Sequence, residues 1–269
     1  MVGLTQDKRI LELHERAVRQ MILELEKRAG ACIRKSGQRA ERVTGNLVTA
    51  TFRHETSREL DPHLHTHCVV MNATFDPVEN RGKALEAAGM YRVHRFATNL
   101  YRHELSKGLR VLGYEIENHS RGFEIKGVPQ SVIDRFSKRH QQIDEETSTR
   151  LKKGEVVENI KDLRERMAHG NRRRKMKDST ADRLQSTWRK EMQPEEVAAL
   201  RTLQTVKPRV VEKTDLASIV AWAEQHLFER RSVVPEHEVM AATLERGRGK
   251  NFDLVALRQA IDHHGFHSD

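Results

Sequence analysis

The sequence predicts an α+β protein, an antiparallel sheet packed by helices and followed by a small helical domain, and three observations carry that expectation. Apolar residues recur at helical spacing near both ends of the chain. Two runs between residues 44 and 75 are rich in β-branched and aromatic side chains and alternate with a period of two. Gly and Pro are scarce inside these periodic stretches and gather at their ends, as turns require.

Taken in order, Leu11, Val18, Met21, Ile22 and Leu25 place one amphipathic helix from Asp7 to about Arg28. After Gly30 and a polar turn at Ser36-Gly37, Thr44 to Thr56 reads as a strand in which Val48, Ala50, Phe52 and His54 share a face. Asp61-Pro62 breaks the pattern, and His63 to Phe75 forms a second strand that pairs antiparallel with the first. Asp76 to Gly82 is a turn, and a long helix runs from about Val93 to Leu112 and closes at Gly113. Tyr114–Asn118 and Gly122–Lys126 flank a hairpin turn, and Val128-Pro129 opens a helix reaching roughly Thr147. Short helices are expected at Ser179–Glu191, Asp215–Phe228, Pro235–Glu245 and Leu254–His263. The polar stretch Thr202–Thr214 divides a first domain, residues 1–200, from a small helical domain, residues 205–269.

Composition narrows the partner. The chain has 269 residues, of which 32% are charged, and 48 Lys plus Arg against 39 Asp plus Glu leave a net charge of +9. That surplus favours a polyanion, with nucleic acid ahead of an anionic membrane. The two cysteines, Cys32 and Cys68, form no CxxC pair, which fits a reducing cytoplasm. The N-terminus is charged from Asp7 onward, so no signal peptide is expected, and no apolar run approaches the ~20 residues of a membrane span.

Six of the fifteen histidines fall between His54 and His103, three of them in the string HLHTH. On a strand, His65 and His67 project from one face with Cα atoms roughly 6.5 to 7 Å apart, a separation from which two rings converge on one cation. His54, on the preceding strand, completes a three-histidine site if it lies opposite either one. His63 shares the face but abuts Pro62 at the turn and is read as a neighbour. HxH alone is a weak signal, and a surface histidine cluster is the alternative on spacing alone.

Around these histidines the string TGNLVTATFRHETSRELDPHLHTHCVVMNAT, Thr44 to Thr74, resembles the metal-site segment of the MobF-type conjugative relaxases, the TrwC/TraI-like branch of the HUH endonucleases. The similarity continues through NLYRHELSKGLRVLGYEIE and GVPQSVIDRFSKRHQQI and covers most of residues 7 to 190. The resemblance implies an antiparallel sheet of HUH type in which His54, His65 and His67 hold a divalent cation, Mg, Mn or Zn. In the family that cation polarises the scissile phosphate of single-stranded DNA at a plasmid transfer origin. A tyrosine then attacks and leaves a 5′-phosphotyrosyl link, the first step of nicking and strand transfer.

The chain also departs from the family pattern. The portion that carries the family's nucleophilic tyrosines, and an acidic residue orienting the third histidine, would precede the first helix. Only Tyr91, Tyr101 and Tyr114 occur. Tyr101 shares helical spacing with Leu105 and Leu112, Tyr114 opens a hairpin strand, and Tyr91, near a helix start, is left as the substitute nucleophile. There is no P-loop, while LASIVAWAEQHLFERRSVVPEHEVMAATLERG resembles the helical segment that leads into the family's helicase.

The expectation is therefore a relaxase domain truncated at both ends that binds a divalent metal and single-stranded DNA, with the catalytic tyrosine region missing. A separately encoded N-terminal relaxase fragment, or other relaxosome proteins, would be its partners. The alternatives are a catalytically dead DNA-binding remnant and an unrelated histidine-metal hydrolase, for which no general base stands nearby. For DNA contact the sequence offers Arg53 and Arg58 beside the metal strands and the run Arg172, Arg173, Arg174, Lys175 and Lys177, with a solvated charge run as the alternative; Trp188, which follows, reads as a core tryptophan ahead of a stacking surface. Cys68 points away from the histidine face by strand parity and reads as core.

Overall fold

A computed structural model describes residues 2–5, 7–35, 37–120, 122–153, 159–170, 181–205, 207–208 and 213–265. The chain opens with α1 (Val2–Thr5) and α2 (Lys8–Glu26), then forms strands β1 (Gly30–Lys35), β2 (Gln38–Val43), β3 (Thr49–Thr56) and β4 (Pro62–Val70). Short strands β5 (Thr74–Asp76), β6 (Arg81–Lys83) and β7 (Leu85–Glu86) lead to α3 (Ala88–Arg92) and α4 (His94–Val111). A hairpin, β8 (Ile116–His119) and β9 (Gly122–Ile125), precedes α5 (Gln130–Arg135), α6 (Lys138–Lys152), α7 (Ile160–Gly170), α8 (Ala181–Glu191) and α9 (Pro194–Gln204). The last helices are α10 (Leu216–Phe228), α11 (Glu236–Arg246) and α12 (Leu254–His264). Among the described residues, no helix is long and apolar enough to cross a membrane.

These elements form two compact units. The first comprises Met1–Asp7, Arg53–Thr66 and Gly127–Thr205, so it holds α1, the turn end of the β3–β4 hairpin and α5 to α9. Its core gathers Val132, Met192 and Leu200, with Leu4, Val128, Phe136, Val197 and Leu203 packed around them. Helix α9 starts in a capping box between Gln193 and Glu196. Glu196 also accepts hydrogen bonds from Arg135 and Ser131, and with the Gln193 N–H these draw its carboxyl down to about 2.

The second unit comprises Lys8–Phe52, His67–Lys126 and Val206–Asp269. Helix α2 buries Ile10, Leu13, Ala17 and Val18 and packs along α4, where Gly108 leaves the space Leu13 occupies. On its other side α4 presents Val93, Phe96 and Leu100 to Val220, Val239, Leu244, Leu254, Leu257 and Ile261, so helices α10 to α12 share one core with α4. Strands β2, β1 and β7 make a three-stranded sheet, with β1 antiparallel to both neighbours. Asp76 joins the short strands to this unit. Burial raises its pKa, but hydrogen bonds from Arg42, from the Val78 and Glu79 N–H groups and from Lys83 outweigh that and hold its carboxyl at about 2.

The structure refines several sequence expectations. The stretch after Gly30 holds two strands that the sequence reading did not include, β1 and β2. They escape periodicity because β2, QRAERV, is exposed at nearly every position and has no apolar alternation. The single helix expected from Val128-Pro129 to Thr147 is two, because the chain breaks at Phe136-Ser137, where Ser137 Oγ donates to the Ile133 carbonyl at 2.6 Å. Helix α9 lies partly in a stretch read as polar linker.

Candidate metal and nucleic-acid site

The histidines sit on a hairpin whose turn is held from several directions. Ser57 N–H donates to the Asp61 carbonyl at 2.8 Å, and Asp61 N–H donates to Ser57 Oγ at 3.1 Å. Leu60 adopts a left-handed backbone with φ 62°, a costly conformation for a branched side chain. It is fixed where Trp188 Nε1 donates to its carbonyl at 2.7 Å. Asp61 is buried and accepts a hydrogen bond from the Lys138 backbone N–H at 3.0 Å, with Lys138 Nζ 3.6 Å away. Burial pushes the Asp61 carboxyl upward and Lys138 opposes that rise. The sequence shows Asp61-Pro62 only as a strand breaker; that it is also an anchor emerges from side chains more than seventy residues away.

From that turn β3 and β4 run side by side as a two-stranded sheet. Met71 N–H donates to the Val48 carbonyl at 2.9 Å. Stepping two residues at a time from this pair sets Ala50 opposite Val69 and Phe52 opposite His67. His54 and His65 stack with centroids 5.4 Å apart and planes 28° from parallel. Both rings are half-buried. His65 Nδ1 lies 3.0 Å from the His63 carbonyl. In the tautomer that donates this bond, the lone pair sits on Nε2.

His63 stacks on His65 with centroids 4.8 Å apart. Its imidazole, although solvent reaches it, is pushed down by partial desolvation and then by the charge of His65. His67 lies two residues beyond His65 on the same face of β4 and is exposed. Among the described residues, no three or more His, Cys, Asp or Glu are gathered as a ready-made metal cluster. What the structure assembles is the His54–His65 pair. Toward the far end of the hairpin the same face carries Val48, Phe52, Val69 and Met71, all exposed.

The remaining predicted residues fall in different places. Arg53, on β3, lies 3.7 Å from Glu55, and Arg58 is exposed in the turn. Arg172, Arg173, Arg174, Lys175 and Lys177 lie outside the described residues. Trp188 is buried and spends its indole N–H on the turn, so it is the core tryptophan of the two sequence readings and offers no stacking surface. Tyr114 is 2% exposed. The Tyr101 hydroxyl is 2.9 Å from His14 Nδ1 and burial pushes it up to about 12. Tyr91, on α3, is 79% exposed. It borders an apolar groove of about 530 Å³ lined by Met21, Leu25, Met71, Leu85 and Met90. Burial raises the Cys68 thiol.

The sequence profile of the TrwC relaxase family matches residues 1–194. The chain belongs to the TrwC relaxase family. The multifunctional conjugation protein TraI of Escherichia coli K12 is 36% identical over 155 residues, which is 54% of this chain and 9% of TraI. A TrwC relaxase solved with oriT DNA in a copper-bound state superposes with a TM-score of 0.63 at 30% identity, covering 75% of this chain and 65% of that one. TrwC bound to a 27-mer DNA comprising the recognition hairpin and cleavage site gives 0.61 at 30% identity, covering 75% and 69%. The fold is thus the α+β fold of the TrwC relaxases. The chain spans about a tenth of TraI and about two thirds of the TrwC relaxase structures.

Proposed function

We propose that this TrwC-family chain binds single-stranded DNA and one divalent cation, as part of the machinery that nicks and transfers a strand at a plasmid transfer origin. The observation that carries the reading is the facing His54–His65 pair, inside the segment matched to the relaxase family. His54, His65 and His67 are the proposed ligands. Of Mg, Mn and Zn, two imidazoles on one sheet face suit Zn best, and the His63 carbonyl orients the His65 ring as a hydrogen-bond partner orients a ligating histidine. A cation held there supplies Lewis-acid polarisation of a phosphodiester oxygen. Arg53, Arg58 and the Arg172–Lys177 run are the proposed phosphate contacts. The proposed site of action is the cytoplasm.

A second reading has its own support. Covalent strand transfer needs a positioned phenol, yet Tyr101 and Tyr114 are committed to packing and hydrogen bonds and Tyr91 is the exposed one. We propose that the described chain binds its DNA without forming the phosphotyrosyl link. The family's tyrosine-bearing portion would act with it, packing on the exposed Val48, Phe52, Val69 and Met71 face. Incubation with manganese and an end-labelled single-stranded oligonucleotide is expected to give no shifted band on a denaturing gel. A protease-sensitive band that disappears in Tyr91→Phe overturns this second reading and makes Tyr91 the nucleophile. Titration calorimetry tests the first: about one cation per chain is expected, and unaltered affinity in His54→Ala removes that residue from the site.

A further inference from the structure

The second unit holds a guanidinium where an uncompensated charge is costly. Arg248 lies in the turn after α11 and is 2% exposed. Its Nη1 donates to the His119 carbonyl at 2.9 Å and to the Gly122 carbonyl, two neutral acceptors that bring no counter-charge. Its Nε and Nη2 are buried and have no hydrogen-bond partner among the described residues. Burial depresses its pKa, Arg102 adds to the depression, and Glu245 opposes it. Glu245 is itself engaged by Arg95 at 2.9 Å and by Asn99 at 3.3 Å.

A second orphan stands beside the first. Arg110 Nε is buried without a hydrogen-bond partner among the described residues. A Cβ added to Gly249 would lie 3.1 Å from that atom and 3.3 Å from Ser106 Oγ, so the backbone of the turn runs directly against α4 there. Gly249 has φ 76°, which favours glycine in any case. Arg102, Ser106 and Arg110 are spaced four apart and share one face of α4. At the hairpin end, Arg102 Nε would be 4.0 Å from a Cβ added to Gly122. Arg102 and Arg110 are half-buried and Lys250 is exposed.

Nε and Nη2 form one edge of the guanidinium, with two N–H bonds parallel. That fork matches two oxygens of a tetrahedral oxyanion, and a phosphate supplies both the missing acceptors and the missing charge. We propose that Arg248, with Arg110 and Arg102, binds a single phosphate group, in a nucleic-acid backbone or free in solution. The site lies within one unit and uses none of the hairpin histidines, so it stands whether or not those bind a cation.

Thermal unfolding in potassium phosphate against potassium chloride at matched ionic strength tests this, with the whole chain. Phosphate is expected to raise the wild-type Tm in a concentration-dependent way. Arg102→Gln and Arg110→Gln, at half-buried positions that fold without the charge, are expected to lose most of that rise, and Arg248→Lys, which keeps the charge but lacks the fork, all of it. Binding of an oligo-dT strand separates the two sources. If the phosphate is a nucleic-acid one, Arg110→Gln weakens binding and lowers the salt slope by about one contact. If it is free phosphate, the Tm response disappears while oligo-dT binding is unaltered. A wild-type Tm that rises no more in phosphate than in chloride, or a rise that survives in all three variants, overturns the proposal.

Discussion

On α4, His103 is fully buried: its ring lies 4.2 Å from that of Phe252, and its Nε2 is 3.1 Å from the Phe252 carbonyl. On the β3–β4 hairpin, His54 and His65 are half-buried and face each other across two strands. The same side chain serves as a packing element in one place and as a poised donor in the other. Burial pushes His103 down to about 4, and the Phe252 carbonyl only partly opposes that, so the ring is neutral and internal. The histidine density of the sequence therefore does not mark a site by itself. The proposed site lies where strand geometry brings imidazoles onto one partly solvated face, whereas a helix turns its histidine into the core.

The largest effect that sharpens this contrast is expected in the helical core. Leu257→Ala removes a fully buried side chain shared by α4 and the last helices and should cost about 2 to 5 kcal/mol in chemical denaturation. His65→Ala on the hairpin should cost little stability but lower manganese or zinc affinity by about 10- to 100-fold or more, read by calorimetry, since a direct ligand matters at least as much as the groups supporting it. If His65→Ala destabilises the fold as Leu257→Ala does, the hairpin is structural and the contrast fails.

Next comes pH. A His103 pKa lowered from 6.5 to about 4 means the unfolded chain binds the proton first. Its stability contribution is full above the unfolded pKa and declines as pH falls from about 6.5 to 4, by up to ~1.4 kcal/mol per pH unit. His103→Gln should flatten that window in urea titrations. Asp76, lowered to about 2, acts in a separate window. Its contribution is present above the unfolded value of 3.8 and is lost as pH falls toward 2, so Asp76→Asn should remove a loss confined below pH 4. The smallest effect is at Arg53. Its exposed pair with Glu55 is worth ~1 kcal/mol or less, so Arg53→Ala should leave stability nearly unaltered while weakening single-stranded DNA binding at low salt.

By itself the sequence determined the α+β class, the amphipathic α2, the long α4 and the strand parity that sets His65 and His67 on one face, because each of these is written in local periodicity. It also carried the family, through a string too long to be coincidence. Tertiary structure decided the rest. That His54 stands opposite His65 depends on a turn held by Trp188 and Lys138, which lie far along the chain and leave no local pattern. That β2 is a strand depends on pairing with β1, since its own residues are exposed and polar. That Trp188 anchors the hairpin turn and that Arg248 is buried leave no local pattern in the sequence either. Periodicity reports which way a side chain points from its own element, and only packing decides what stands on the other side.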